Sequence, residues 1–341
     1  MKQFTPEPEV LSDRALGALL GACIGDAAGA TLEFIGRRPT EEEVEHAISL
    51  PGGGVFKLAP GQFTDDGELT LCLAHSLAES SAFSIERVAR QYAGWVESQP
   101  FDIGQTTRSA LGCFQEREWK SVCRTEGYAT AMSRAAYSRC MMSKANGSLM
   151  RSSPLGIWGW RLNPNDLALL AMEDSALSHP NNSCRHAVAC YSIAIAQILR
   201  GQGRAAAFEI ASDWAELNAN AEVRQWLEDA RRNLIIPSYP QAGFVRIGFT
   251  HAFRHLLLGS DYVEAIREVL SGGGDTDTNA CIVGGLVGAA CGAVSIPDSV
   301  KLPVLNCDTS GGKQTRPGFL RGSAISELVA RMLARAPGWS T

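Results

Sequence analysis

Glycines recur at every fourth position near the start of the chain, at Gly17, Gly21, Gly25 and Gly29, set among Leu, Ala and Ile in residues 11–30. At helical spacing they lay a smooth stripe of small residues down one face of a helix, and another backbone can approach that face closely. A second run, residues 281–296, is also rich in Gly and Ala. Its 16 residues fall short of the roughly 20 needed to cross a bilayer. It reads as a buried helix packed closely against its neighbours.

Eleven further segments carry amphipathic or buried helical patterns: 69–79, 85–97, 127–138, 167–172, 186–200, 205–217, 222–233, 243–258, 262–271, 279–292 and 324–336. Alternating β-branched runs are almost absent, and the joints, such as 50–61, 99–104 and 144–154, carry Gly and Pro. The expectation is an all-α, bundle-like fold of about a dozen helices. The chain has 341 residues, 45% of them hydrophobic, which is enough for one substantial core, and no linker or repeat divides it. The predicted organisation is a short flexible lead, residues 1–13, followed by one domain over 14–341.

Charge narrows the partners. The net charge is −5 and no Lys/Arg block tracks a phosphate backbone, which argues against nucleic acid as the primary partner. The opening residues, with their acids and prolines, lack the basic start and apolar run of a secretory signal, and no stretch reads as a membrane span. The ten cysteines are scattered through apolar patterns with no CxxC pair, so they read as small core residues in a reducing, cytoplasmic setting.

Two acidic clusters stand out. In residues 63–68, Phe-Thr-Asp-Asp-Gly-Glu, Asp65 and Glu68 are spaced as a capping box, but Asp66 beside Asp65 is left unexplained, because adjacent carboxylates repel unless something neutralises them. In residues 272–279, Gly-Gly-Gly-Asp-Thr-Asp-Thr-Asn, three glycines permit a sharp turn, and Asp275 and Asp277 can aim their oxygens the same way. Each cluster alone reads more readily as a cap. Together, four Asp and two Thr supply the hard oxygen donors that Mg²⁺, Mn²⁺ or Ca²⁺ prefer. Helix N-termini oppose cations through their dipole, so the carboxylates must outweigh it.

Other constellations carry less. His251-Ala252-Phe253-Arg254-His255 has zincin-like spacing but Ala252 where the catalytic Glu would stand, and reads as two helical histidines in or beside the core. The Gly52–Gly54 turn lacks the Lys-Ser/Thr of a P-loop.

Six ordered motifs span most of the chain: residues 17–34, 52–71, 98–108, 146–156, 178–180 and 272–280. In these the chain resembles the ADP-ribosylglycohydrolase family, and within it the dinitrogenase reductase-activating and ADP-ribosylarginine hydrolase type. The resemblance implies an all-α fold with a binuclear centre of two Mg²⁺ or Mn²⁺ ions, whose ligands fall on Thr64, Asp65, Asp66, Asp275, Asp277 and Thr278. It places Glu33 near that centre and implies that Asn146, Gly147, Ser148 and Met150 belong to the loop lining an ADP-ribose pocket, with His179 beside the ribose or phosphates and Gly104 next to Asp102. Asp102 matches an acidic residue facing the leaving side chain in arginine-specific members, and a carboxylate there suits a planar, permanently charged guanidinium. The implied catalytic set is Glu33, Asp66, Asp102 and Asp277, with the choice of general base among Asp66, Asp277 and Glu33 left open.

One departure is visible at Gly67, where many members carry a hydroxyl residue, and weaker metal affinity is the expected consequence. The expected reaction is metal-dependent hydrolysis of the N-glycosidic bond between ADP-ribose and an arginine of a modified protein, reversing a regulatory or toxin-inflicted modification. Such a role implies an ADP-ribosylated protein as substrate and a cognate ADP-ribosyltransferase or toxin as a further partner. The alternatives are another ADP-ribose linkage, such as serine-linked ADP-ribose or O-acetyl-ADP-ribose, or a non-catalytic ADP-ribose-binding or immunity protein.

Overall fold

The computed structural model describes residues 6–338. Seventeen α-helices are present among them, with no β-strand beyond the isolated bridges Gly53–Leu58 and Ala145–Phe244, so the all-α expectation holds. In order they are α1 (Pro8–Gly29), α2 (Glu41–Ile48), α3 (Asp65–Leu77), α4 (Ile85–Glu97), α5 (Gln105–Leu111), α6 (Arg117–Glu126), α7 (Tyr128–Arg139), α8 (Ser153–Trp158) and α9 (Pro164–Ala176). There follow α10 (Asn182–Leu199), α11 (Arg204–Asn218), α12 (Ala221–Arg231), α13 (Val245–Leu258), α14 (Tyr262–Ser271), α15 (Thr276–Cys291), α16 (Asp298–Asn306) and α17 (Ile325–Ala334).

The predicted segments recur as helices, α4 and α14 with the same bounds, while α2, α5, α6, α8 and α16 were not expected. These five are 6 to 10 residues long, too short for their periodicity to stand out, and helices of such length depend on tertiary packing. The lead also needs correction: helix α1 starts at Pro8, with proline in the first turn where its missing N–H costs nothing, so residues 8–13 are helical. Residues 1–5 of that lead lie outside the described residues.

Local chemistry sets many helix starts. Ser84, Asn163, Asn181, Asn220 and Asp261 each accept a backbone N–H in the first turn that follows, and Thr40 with Glu43 closes a full capping box on α2. Helix α13 stops at Gly259, which takes the left-handed conformation with φ +71°.

At the centre, α1 and α15 run antiparallel with their backbones nearly in contact. A Cβ placed on Gly17 would lie 2.2 Å from the Gly288 carbonyl oxygen, one on Gly21 2.4 Å from that of Gly284, and one on Gly25 2.1 Å from that of Ala280. At Gly29 it would meet Asp277 Cα at 2.4 Å. The glycine stripe therefore has the role its spacing predicted, and its partner is the Gly/Ala run. Tyr262 donates from its hydroxyl to the Gly21 carbonyl at 2.6 Å and closes the seam from the side of α14. Among the described residues no helix is long and apolar enough to cross a membrane. All ten cysteines are free thiols, eight of them buried, as a core role requires.

Candidate active site

The first turn of α3 does not cap itself. Thr64 holds the N-cap position without a side-chain capping bond, so the expected Asp65–Glu68 box is absent. The capping carboxylate comes from Asp26 on α1, which accepts the Thr64 N–H at 3.0 Å, the Thr64 hydroxyl at 2.9 Å and the Gly67 N–H at 2.7 Å. Glu68 instead turns into the core, where Arg316 grips both its oxygens at 2.7 and 2.8 Å and Trp95 Nε1 donates at 2.6 Å. The sequence spacing was right for a box, but a buried arginine offers Glu68 a stronger, charge-assisted partner.

Gly67 is explained by the same turn. A Cβ there would meet the buried Phe63 ring at 2.6 Å and stand 3.1 Å from Asp26 Oδ2. A hydroxyl residue would crowd Phe63, and the backbone N–H of Gly67 already donates to the carboxylate behind the cluster.

The second cluster opens α15. Gly273 and Gly274 take φ values of +66° and +81°, which glycine adopts at little cost, and they swing Asp275 and Asp277 toward α3. Asp275 Oδ2 accepts from Asn146 Nδ2 at 2.8 Å, and Thr276 Oγ1 donates to the Gly29 carbonyl at 2.8 Å, locking this turn to the end of α1. Asp26, Asp66 and Asp277 then present oxygens within 4.8 Å of one another, and so do Glu33, Asp275 and Asp277. Asp277 belongs to both groups.

Burial drives the electrostatics. It raises the carboxyl pKa values of Asp65, Asp66 and Asp277 well above the ordinary range, with neighbouring carboxylates adding to the effect. Burial likewise pushes Asp26 up to about 7 and Glu33 to about 8, the latter reinforced by Asp102. Asp102 is raised by burial too, and its carboxyl lies beside that of Asp65 as Glu33 lies beside Asp277. Neighbouring carboxylates repel unless a proton or a bound cation relieves the pair.

Above this floor opens a cavity of about 740 Å³, a size suited to a small-molecule ligand. Glu33, Asp65, Asp102, Asp275 and Asp277 line it, as do Gly104, Asn146, Gly147, Met150, Thr278 and His179, and among the described residues no Lys or Arg does. Thr64 and Asp66 sit behind the wall, buried. Ser148 also departs from its expected place on the wall: its hydroxyl accepts from Ser175 Oγ at 2.9 Å in the interior. Gly147 is held to hydrogen by two neighbours, since a Cβ would meet His179 Cε1 at 2.9 Å and Thr107 Oγ1 at 3.0 Å. His179 Nδ1 pairs with Ser178 Oγ at 2.9 Å, and burial, helped by Arg151, lowers its pKa to about 3, so its ring is neutral.

Sequence reasoning missed several participants. Asp26 had a signal, as the lone acid in the apolar run 15–30. Arg151 lay inside a recognised motif. It is fully buried, donates to Asp174 Oδ2 at 3.2 Å and to Ser178 Oγ at 2.9 Å, and stacks 4.6 Å from the Tyr92 ring centre, which fixes the 146–151 loop beneath His179. Tyr239, on the cavity rim with its hydroxyl accepting from the Gly274 N–H at 3.2 Å, had no sequence signal.

An all-helical protein that gathers carboxylates from α1, α3, α15 and two loops at the floor of one ligand-sized cavity belongs to a definite class, one able to hold divalent cations beside a bound small molecule. The Asp66 Oδ1 and Glu33 Oε2 atoms, buried and without hydrogen-bond partners among the described residues, fit hard cations with oxygen ligands. The chain belongs to the ADP-ribosylglycohydrolase family, whose sequence model matches residues 7–339. It is 28% identical over 289 residues to the ADP-ribosyl-[dinitrogen reductase] glycohydrolase of Rhodospirillum rubrum, covering 84% of this chain and 88% of that one. A shorter stretch of 114 residues is 43% identical to an ADP-ribosylarginine hydrolase of Pseudomonas putida, covering 31% of this chain and 29% of that one. A solved structure titled as an ADP-ribosylglycohydrolase-related protein complex superposes with a TM-score of 0.74 at 25% identity, covering 96% of this chain and 99% of its own.

Proposed function

We propose that this protein hydrolyses the N-glycosidic bond joining ADP-ribose to an arginine side chain of a modified protein, with two divalent cations, Mg²⁺ or Mn²⁺, at the carboxylate floor. The observation that carries the reading is the wall itself: five carboxylates face one cavity with no Lys or Arg lining it among the described residues. Such a wall suits cations on its floor and a cationic guanidinium at its mouth, and the name of the Pseudomonas relative, an ADP-ribosylarginine hydrolase, agrees with the second.

Asp65, Asp66, Asp275 and Asp277, with Thr64 and Thr278, would hold the metals, and Asp26 would orient the Thr64–Gly67 turn behind them. Bound there, the cations would lower the pKa of a water and polarise ribose hydroxyls, preparing attack at the anomeric carbon. Asn146, Gly147 and Met150, braced by Arg151, form the wall for the ADP-ribose body, with neutral His179 beside them. Asp102 orients the guanidinium and returns a proton to it as it departs. Glu33, beside Asp275 and Asp277, is suited to receive the water's proton because its affinity for a proton is already raised.

The test is release of ADP-ribose from arginine-modified and from serine-modified protein, each with Mg²⁺ or with EDTA. Metal-dependent release from the arginine substrate alone is expected. Release from the serine substrate alone would move the reading to another ADP-ribose linkage, and release from neither would make the protein a binder.

A further inference from the structure

Outside the groups that make the carboxylate floor, His251 and His255 on α13 and Glu268 on α14 bring one ligand atom each within 4.8 Å of one another. Both imidazoles are spoken for on one side only. His251 Nε2 pairs with the Ile236 carbonyl at 2.9 Å, which requires the proton on Nε2 and leaves the lone pair on Nδ1. His255 Nδ1 pairs with Ser260 Oγ at 3.0 Å, and with that nitrogen donating, Nε2 carries the lone pair. The free nitrogens, His251 Nδ1 and His255 Nε2, are buried and have no hydrogen-bond partner among the described residues, and the two residues are only 6% and 0% exposed.

Glu268 divides its two oxygens. Oε1 takes Arg254 at 2.5 Å, while Oε2 faces His255 Nε2 at 3.8 Å. Burial lowers the His255 pKa to about 4 and lowers that of His251 as well, so a charged His–Glu pair does not account for the arrangement at neutral pH. Two neutral nitrogens with an outer partner fixing each tautomer, plus one carboxylate oxygen, form the donor set of a tetrahedral zinc site with one position open to water. Ligand atoms around zinc stand roughly 3.3 Å apart, so the three groups need only a modest contraction. The Arg254 charge beside them works against hard cations held by electrostatics and favours metals that bond to imidazole.

We propose a second metal site at His251, His255 and Glu268, taking Zn²⁺ or a similar transition ion and clamping α13 to α14. Helix α14 leads directly into the Gly272–Asp277 turn, so the clamp would steady the turn that carries two of the floor carboxylates.

The test uses the full chain with the floor saturated in Mg²⁺, titrated with Zn²⁺ while the thermal midpoint is followed, and with Co²⁺ while its visible absorption is followed. Wild-type protein is expected to bind one ion, to melt at a higher temperature with it, and to give Co²⁺ bands of nitrogen and oxygen ligands. Glu268→Gln, at a partly exposed position where the amide oxygen can still accept from Arg254, should weaken binding by about tenfold or more without loss of fold, and His251→Gln should do the same. Equal Zn²⁺ affinity in wild type and both variants would overturn the proposal, and so would no binding, or a sulfur-to-cobalt band showing that a cysteine holds the ion.

Discussion

Asp277 is the residue on which the carboxylate floor converges, because it belongs to both groups of neighbouring acids. Asp277→Ala should abolish divalent-ion binding at the floor and reduce turnover by more than the ~100-fold that outer-sphere changes cost. Isothermal titration with Mg²⁺ and a release assay check this, and retained activity would remove the metal scheme. His179 supports a pH prediction. Its pKa is about 3 in the folded protein, against about 6.5 in an unfolded chain. Above pH ~6.5 the ring is neutral in both states; below it the unfolded chain takes up a proton that the folded one refuses, so stability drains as pH falls toward about 3. In His179→Gln the slope of unfolding free energy against pH between 4 and 6 should be shallower by ~1.4 kcal/mol per pH unit, the value for one proton. Denaturant titrations at several pH values read this slope directly. An unchanged slope would show that the imidazole is protonated in the fold.

At the scale of elements, the seam between α1 and α15 positions the site. Asp26 follows Gly25 and Asp277 abuts Gly29, so helix separation and the spacing of the acids are one quantity. Gly25→Ala would drive a methyl onto the Ala280 carbonyl oxygen and should cost about 1–3 kcal/mol, the usual range for overpacking. The strain lies in backbone that cannot rotate away, so Mg²⁺ affinity should fall with stability. Urea unfolding paired with Mg²⁺ titration measures both, and wild-type values for the two would show that the seam is looser than its geometry. The capping of α3 has the same character: the acid three residues past the cap was legible as half of a box, yet Asp26 from another helix fills the role. A capping box is local, and sequence spacing alone carries no term for a competing carboxylate that arrives through the fold.

Across the whole molecule, the segment after α16 returns to the front of α3 through Arg316, which meets Glu68, Trp95's partner, in a pair almost wholly removed from water. Arg316→Met leaves the Glu68 charge buried alone and should destabilise by about 3–5 kcal/mol, whereas Arg316→Met with Glu68→Met should recover much of that loss. Chemical denaturation of the two variants decides, and a double variant no more stable than the single one would contradict the account.

The sequence by itself determined the helical class, the close-packed glycine face, the two acidic turns and, through six motifs, the family. Those features are local: periodicity, small-residue spacing and Gly-flanked acids are written within a few turns of chain. Only the tertiary structure decided that the glycine face meets the Gly/Ala helix, that Asp26 serves α3, that Ser148 turns inward and Arg151 braces the loop, and that two histidines meet a glutamate from the next helix. Each of these depends on which distant segment supplies the partner for a buried polar group, and that choice is made by packing the whole core at once.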